Sequence, residues 1–532
     1  MNIAEHAVVF AGRRRMSGKF EFRRMAASLE DVLGAGYIDA VVGARTALAG
    51  EQPEALYRLV REKVDFLPES MLARLHELLS SAGGEVSPPL ARSPDGAGTR
   101  EFARATRTQL APLSGYGYFR VGEDGRLYAV TKSEHYHAPM GHSFPGYRLV
   151  EHARRLGIPN ATHNNTRGFI TRRLEDELVS AAGRACCGGA SAAGAGTLDT
   201  VMNLETGSLA VEASLKMILA RFYKPQEDSP EPPYAGRIPV ILVVGADDGG
   251  LQANYHGTTL LTQTFRGMWG GIRGKIEDAE VCKVVPVRPN AIEDVRKAFE
   301  RYECGKTKIA GFFHEIIMMN YGARVLAKEF LQETYRLCER HDVATVDDEI
   351  QSCMWHHDYF MFGEWGIKPA FLAVGKGFPG GEYAASRLLF DGRYDVLPQF
   401  GALVTNGQEE LASLAYLVTM AWAKANRDVT RALGDYYEAS LMELAERHES
   451  LGCEVRGMRH LCGMEFREVE PATEVARTMT EAGFDISVQS YKAACPPVAL
   501  TKLPLIADKP LIDAFVRKMD TALASVSRGP TA

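Results

Sequence analysis

Two apolar runs end in groups that belong together chemically. The run FLAV ends in Gly375-Lys376-Gly377, and the run VATV ends in Asp347-Asp348-Glu349. If both runs are parallel strands, an amine and a carboxylate lie at neighbouring carboxyl ends, where open α/β sheets bind their ligands. A planar cofactor held between such groups suits pyridoxal 5'-phosphate. Lysine condenses with the aldehyde as a Schiff base, and the carboxylate keeps the pyridine nitrogen protonated so that the ring draws electrons from the substrate. Lys376 and Asp348 are therefore the expected catalytic pair. Taken alone, Gly-Lys-Gly reads better as a surface lysine in a turn; the other strand ends change that reading.

A phosphate group belongs at a helix N-terminus, where free N–H groups and the helix dipole favour an anion. Thr206, Gly207 and Ser208 open a stretch whose Val211, Leu215, Ile218 and Phe222 share one helical face, although the same residues also make an ordinary N-cap. Tyr255-His256-Gly257-Thr258 follows the apolar run IPVILVVG at loop distance. Tyr255 is expected to stack on the cofactor ring, with a core tyrosine as the alternative. Glu315 ends the run KIAGFFHE, as a site carboxylate or as a capping or salt-bridged glutamate.

These residues need a scaffold. From about residue 183 to 390, apolar runs alternate with helical stretches such as AIEDVRKAFERY, the pattern of an α/β domain with a mainly parallel sheet covered on both faces. Before it, residues 28–81 read as helices, the Gly/Ser/Pro-rich stretch at 80–99 as a linker, and GYFRVGEDGRLYAV as two strands around a turn. The expected organisation is a helical N-terminal extension with linker over 1–105, the N-terminal part of a small lobe over 106–182, the large domain over 183–428 and a C-terminal α+β lobe over 429–532.

With 61 basic and 67 acidic residues in 532, a formal charge of -6 gives no reason to expect a nucleic-acid partner. No run of eighteen apolar residues suggests a membrane span. The apolar run at the N-terminus precedes its basic cluster, the wrong order for a secretory signal. The nine cysteines, Cys186 and Cys187 adjacent among them, follow neither zinc nor disulfide-scaffold spacing, and a reduced cytoplasm is the expected compartment.

In order along the chain, these segments resemble the class III pyridoxal-phosphate aminotransferases, relatives of ornithine, acetylornithine and 4-aminobutyrate aminotransferases and of glutamate-1-semialdehyde aminomutase. The resemblance runs from about Gly115 to the C-terminus. It rests on Gly141-His142-Ser143-Phe144-Pro145, Thr206-Gly207-Ser208, Tyr255-His256-Gly257, Glu315, Asp348-Glu349-Ile350-Gln351, Gly375-Lys376-Gly377 and Arg456-Gly457. It implies a fold of the aspartate-aminotransferase type (fold type I), with a large seven-stranded domain and a small lobe built from both chain ends. It also implies cofactor contacts from His256 and Gln351, a homodimer sharing its active sites, and a threonine crossing to the phosphate, for which Thr405 is the candidate.

Departures from the family pattern are as informative. Ser352-Cys353-Met354-Trp355-His356-His357-Asp358 replaces a Gly-rich segment ending Gly-Arg-Thr-Gly, and Leu209 and Val211 stand where Glu and Asn are frequent. Where relatives that bind an α-carboxylate carry an arginine before a Pro-Leu turn, this chain has Lys502, which cannot offer a bidentate fork. The expected reaction is transamination of a primary amine or amino acid. Aminomutase, racemase and β- or γ-elimination or replacement chemistry form the alternative, and a cofactor-less scaffold is a further reading that Lys376, Asp348 and the Thr206 segment oppose. No metal site is expected from His135, His137 and His142 or from His356 and His357; the last two are expected at the substrate.

Overall fold

The computed structural model describes residues 20–186, 198–490 and 495–527. The N-terminal apolar run and Cys187 lie outside them. Seven strands form the main sheet: β1 (Thr200–Leu204), β2 (Ile238–Val244), β3 (Lys283–Val287), β4 (Thr307–His314), β5 (Ala344–Asp348), β6 (Phe371–Val374) and β7 (Ser386–Phe390). Their order is β1-β7-β6-β5-β4-β2-β3. The pairs from β6 through β3 are parallel, and β7 runs antiparallel to both β6 and β1.

The unbroken apolar character of these strands has a direct cause. In β2 every residue is buried, and alternate side chains enter two separate cores. Val240, Leu242 and Val244 pack into one with Phe312, Leu372 and Leu389. Ile241 and Val243 pack into the other with Phe313, Val346 and Phe371. A sheet covered on both faces has no polar side to display. The helix α1 (Phe169–Cys186) precedes β1, α2 (Gly207–Leu219) follows it, and α2 packs on β7, β6 and β5.

A second sheet lies in the C-terminal lobe: β8 (Glu454–Met458), β9 (Leu461–Glu465), β10 (Ser487–Gln489) and β11 (Val498–Leu500), antiparallel in the order β8-β9-β11-β10. The hairpin around Glu123-Asp124-Gly125 forms as the sequence suggests, from Phe119–Gly122 and Leu127–Ala129, with a further strand at Pro112–Tyr116. It joins the C-terminal lobe through a bridge from Ala129 to Phe484 and through Arg120, whose guanidinium holds both Glu134 (2.5 Å) and Asp485 (2.6 Å). Four helices, Leu29–Leu33, Ala35–Ala49, Pro53–Arg61 and Glu69–Leu79, occupy the N-terminal region.

The helix α3 (Glu410–Arg447) is 38 residues long and runs without a break through residue 428, where the border of the C-terminal lobe is expected. Its first residue does work on a neighbour. The buried Glu410 carboxylate accepts the N–H groups of Ile170 (2.9 Å) and Thr171 (3.0 Å) and the Thr171 hydroxyl (2.6 Å), closing the N-terminus of α1. A buried anion on a helix N-terminus satisfies donors that have no partner within the helix. Among the described residues no helix is long and apolar enough to cross a membrane.

Glu410→Ala is expected to lower the free energy of unfolding by about 2–3 kcal/mol, because it orphans charge-assisted hydrogen bonds in a dry site. Urea titration followed by circular dichroism checks this. Glu410→Gln, which keeps an acceptor, is expected to lose less.

Candidate active site

The parallel pairing of β5 and β6 sets Asp348 opposite Ala373, so Gly375 and Lys376 emerge just beyond the carboxylate. Lys376 has φ 35°, a left-handed conformation unusual for a side-chain-bearing residue, and such strain gathers at functional sites. Its Nζ stands 5.5 Å from the centre of the Tyr136 ring. Burial pushes the amine below the usual lysine range, opposed by the carboxylates of Glu315 and Asp348. Lowering a lysine in this way leaves more of it as the free nucleophile at neutral pH.

Side-chain alternation along β5 divides its acidic end. Asp348 is buried, with Oδ2 2.9 Å from His256 Nδ1 and Oδ1 accepting the Ile350 N–H at 3.2 Å. Asp347 points the other way, 3.7 Å from His314, and burial together with Glu349 and Asp348 holds its carboxyl well above the usual range. Glu349 takes the N–H groups of Met361 and Phe362, which anchors the rebuilt segment that follows. Glu315 is 3% exposed and accepts Gln351 Nε2 at 3.3 Å.

The phosphate-cup segment forms a helix start as its sequence suggests. Thr206 is the N-cap of α2 and accepts the Leu209 N–H. Ser208 Oγ accepts the Thr258 N–H at 3.0 Å, so the 255–258 loop closes over the same helix end. Two glycines make that approach possible. A Cβ on Gly207 would meet Ile350 at 2.7 Å, and Gly257, at φ 114°, would press one against Ser208 at 2.8 Å. Strand ends, helix end and loop are thereby drawn into one cradle, with a buried His256 Nε2 that has no protein hydrogen-bond partner. The residues fit pyridoxal phosphate: an amine, a buried carboxylate on a histidine, and a helix N-terminus bearing hydroxyls.

The structure departs from expectation in several places. The Tyr255 ring lies 5.0 Å from the Arg266 guanidinium, and its neighbour His256 is the fully enclosed member of the loop. The site gains an aromatic residue that the sequence reading passed over: Tyr136, between the hairpin and Gly141-His142. Its ring faces both Lys376 and Lys502. Residues Ser133, Glu134, His135 and Tyr136 all have φ between 46° and 77°, a run of left-handed non-glycine backbone that no local propensity signals.

Lys502 is wholly buried. Its Nζ donates to the Gln351 carbonyl and lies 3.7 Å from the centre of the Trp355 ring and 4.6 Å from that of Tyr136. It locks three segments together instead of opening onto the cleft. Arg456 is likewise spent, in a bidentate pair with Glu465 across β8 and β9. Thr405 is exposed, on the turn before α3.

His356 and His357, expected at the substrate, sit together in a different cavity. They line a cavity of about 610 Å³ whose lining includes Arg184, Lys424, Arg427 and Arg431 but not Lys376 or Asp348. Asp358 completes a group whose ligand-capable atoms lie within 4.8 Å of one another. His356 already accepts the Asp358 N–H on Nδ1 and sets Nε2 2.8 Å from Glu364, and Asp358 pairs with Arg427 at 2.5 Å. These commitments and the surrounding cations disfavour a metal ion.

A parallel-centred seven-stranded sheet of this order, with the lysine and aspartate at adjacent strand ends, defines an enzyme of the type I pyridoxal-phosphate fold. The chain belongs to the class III aminotransferases: the sequence profile described as Aminotransferase class-III matches residues 105–523. Among curated relatives, an ornithine aminotransferase of Emericella nidulans is 28% identical over 37% of this chain and 41% of its own length. An L-lysine-epsilon aminotransferase of Streptomyces clavuligerus is 27% identical over 36% and 42%. The chain thus aligns with only about two fifths of these relatives' length. An acetylornithine aminotransferase of Synechocystis is 24% identical over 57% and 68%. Of solved structures, the ornithine aminotransferase of Toxoplasma gondii superposes with a TM-score of 0.64 at 18% identity, covering 80% of this chain and 93% of that one. A transaminase from the marine bacterium Virgibacillus gives 0.65 at 16%, covering 82% and 97%.

Cofactor uptake by the apo-protein, followed by visible absorbance, is expected to proceed readily at pH 7. Glu315→Gln removes a charge that favours the ammonium form of Lys376, so its uptake profile is expected to move to lower pH. A move to higher pH contradicts this electrostatic picture. Asp348→Asn is expected to reduce turnover by about a hundredfold or more, the scale on which one preorganised charge acts in a catalytic site.

Proposed function

We propose that the chain is a pyridoxal-phosphate-dependent aminotransferase acting on a primary amine or amino acid, with Lys376 as its catalytic amine. The observation that carries this is the juxtaposition of a burial-weakened lysine with Asp348 across adjacent strand ends. When bound, the cofactor supplies the electron-accepting ring that amino-group transfer requires. Asp348, held by His256, would meet the ring nitrogen. Thr206, Gly207 and Ser208 receive the phosphate on the free N–H groups of α2. Tyr255 and Gln351 would border the ring, with Gln351 Nε2 held by Glu315. Lys376 Nζ would hold the cofactor, and as a free amine beside the substrate it would take the proton from the substrate carbon bearing nitrogen.

We further infer a homodimer in which Thr405 is presented across the interface to the neighbouring phosphate. Its exposure, and that of Phe400 (84%) and Val396 (47%) on the same stretch, supports an interface there. A reduced cytoplasm is the inferred compartment, supported by cysteine spacing that follows neither zinc-site nor disulfide-scaffold patterns.

Ornithine, lysine and 2,4-diaminobutyrate, for which relatives are named, are the first amines to try. Mixing each with holoenzyme in single turnover is expected to convert the bound cofactor to its pyridoxamine form, read by absorbance and by mass. Product without that conversion excludes transamination. Borohydride trapping is expected to label Lys376, and a label elsewhere overturns the assignment.

A further inference from the structure

The acid end of a substrate needs a cation, and the lysine that stands at the family's arginine position is closed off: Lys502 has no exposed surface and its Nζ is committed to a carbonyl and two ring faces. A second cation lies near Tyr136. Lys132 Nζ is 5.6 Å from the centre of the same ring that carries Lys376 at 5.5 Å. The two amines can therefore be no farther apart than those two distances laid end to end. Lys132 keeps some exposed surface, and its Nζ donates to the Ser487 hydroxyl.

No carboxylate among the described residues lies within ion-pairing distance of Lys132. The acids around it are occupied: Glu134 by Arg120 and His142, Asp485 by Arg107 and Arg120. His135, on the left-handed segment, is exposed. Burial pushes this ammonium down to about 8; the Asp485 carboxylate opposes that shift without pairing with it and Arg107 adds to it, so a direct anionic partner would relieve it. The left-handed backbone from Ser133 to Tyr136 starts at the next residue.

We propose that Lys132, with the Ser487 hydroxyl, is the subsite that receives the carboxylate of the substrate, while the substrate's reacting amine meets Lys376 across the Tyr136 ring. The inference rests on the aminotransferase reading of the site and adds its specificity: an amine carrying a single acid group several bonds away, gripped by a point charge and a hydroxyl. Charge-assisted hydrogen bonds of this kind contribute about tenfold or more in affinity.

The test uses holoenzyme and two probes. Pentanoate, which has no amine, is titrated calorimetrically, and 5-aminopentanoate is compared with pentylamine in single turnover. Wild type is expected to bind pentanoate and to favour 5-aminopentanoate at least tenfold in kcat/KM. Lys132→Met is expected to weaken pentanoate binding about tenfold and to erase the preference, and Lys132→Arg to restore much of both; the cofactor's visible band reports that each variant is folded. Undiminished pentanoate binding or undiminished preference in Lys132→Met overturns the subsite, as does a wild type without either. If wild type binds no cofactor, the site reading itself fails, and this inference falls with it.

Discussion

Everything at the catalytic end of the sheet depends on the hydrogen-bonded register of β5 on β6. With Asp348 opposite Ala373, the lysine three residues beyond Ala373 emerges at the same strand edge as the carboxylate. A slip of one residue exchanges the faces on which side chains project. It would bring up Asp347, a group that burial makes reluctant to ionise, and would send Asp348 away from His256. The paired cores on the two faces of the sheet hold the register, because a slip would also drive each strand's apolar side chains into the wrong layer. Site chemistry and core packing are in this sense one constraint.

That coupling explains why so much was legible in the sequence. Strands buried on both faces appear as uninterrupted apolar runs, and their polar last residues mark the ligand edge; Asp348, Lys376 and Glu315 all stand out for this reason. Thr206-Gly207-Ser208 is a helix start on local grounds alone. What could not be read arises from apposition of distant segments. Lys502 is enclosed because residues 131–136, 351–355 and 500–503 meet: Lys502 N–H reaches the Thr131 carbonyl, Ser133 the Lys502 carbonyl, and the Trp355 indole the Leu503 carbonyl. Nothing local to any of them announces the others. Tyr136 was missed because its backbone defies propensity, and α3 runs on past residue 428 because buried residues recur at helical spacing from Asn426 to Leu444.

The segment after Glu349 shows how a family scaffold accepts a new loop. Glu349 pins its far side at Met361 and Phe362, Trp355 pins its middle to the C-terminal lobe, and Lys502 pins its first turn. Its histidines are thereby drawn to a separate, arginine-rich cavity. The segment is thus tied at its edges and middle, so the acid that precedes it stays fixed.

The continuity of α3 has a mechanical meaning. At 1.5 Å per residue its 38 residues form a rod about 57 Å long, anchored at one end by the carboxylate of Glu410 on α1 and reaching the C-terminal lobe at the other. A rod of this kind transmits rotation and does not absorb it. Any closing of the small lobe over the cleft must accordingly flex in the connections around the sheet edges, and it will be felt at the base of α1, far from the chemistry.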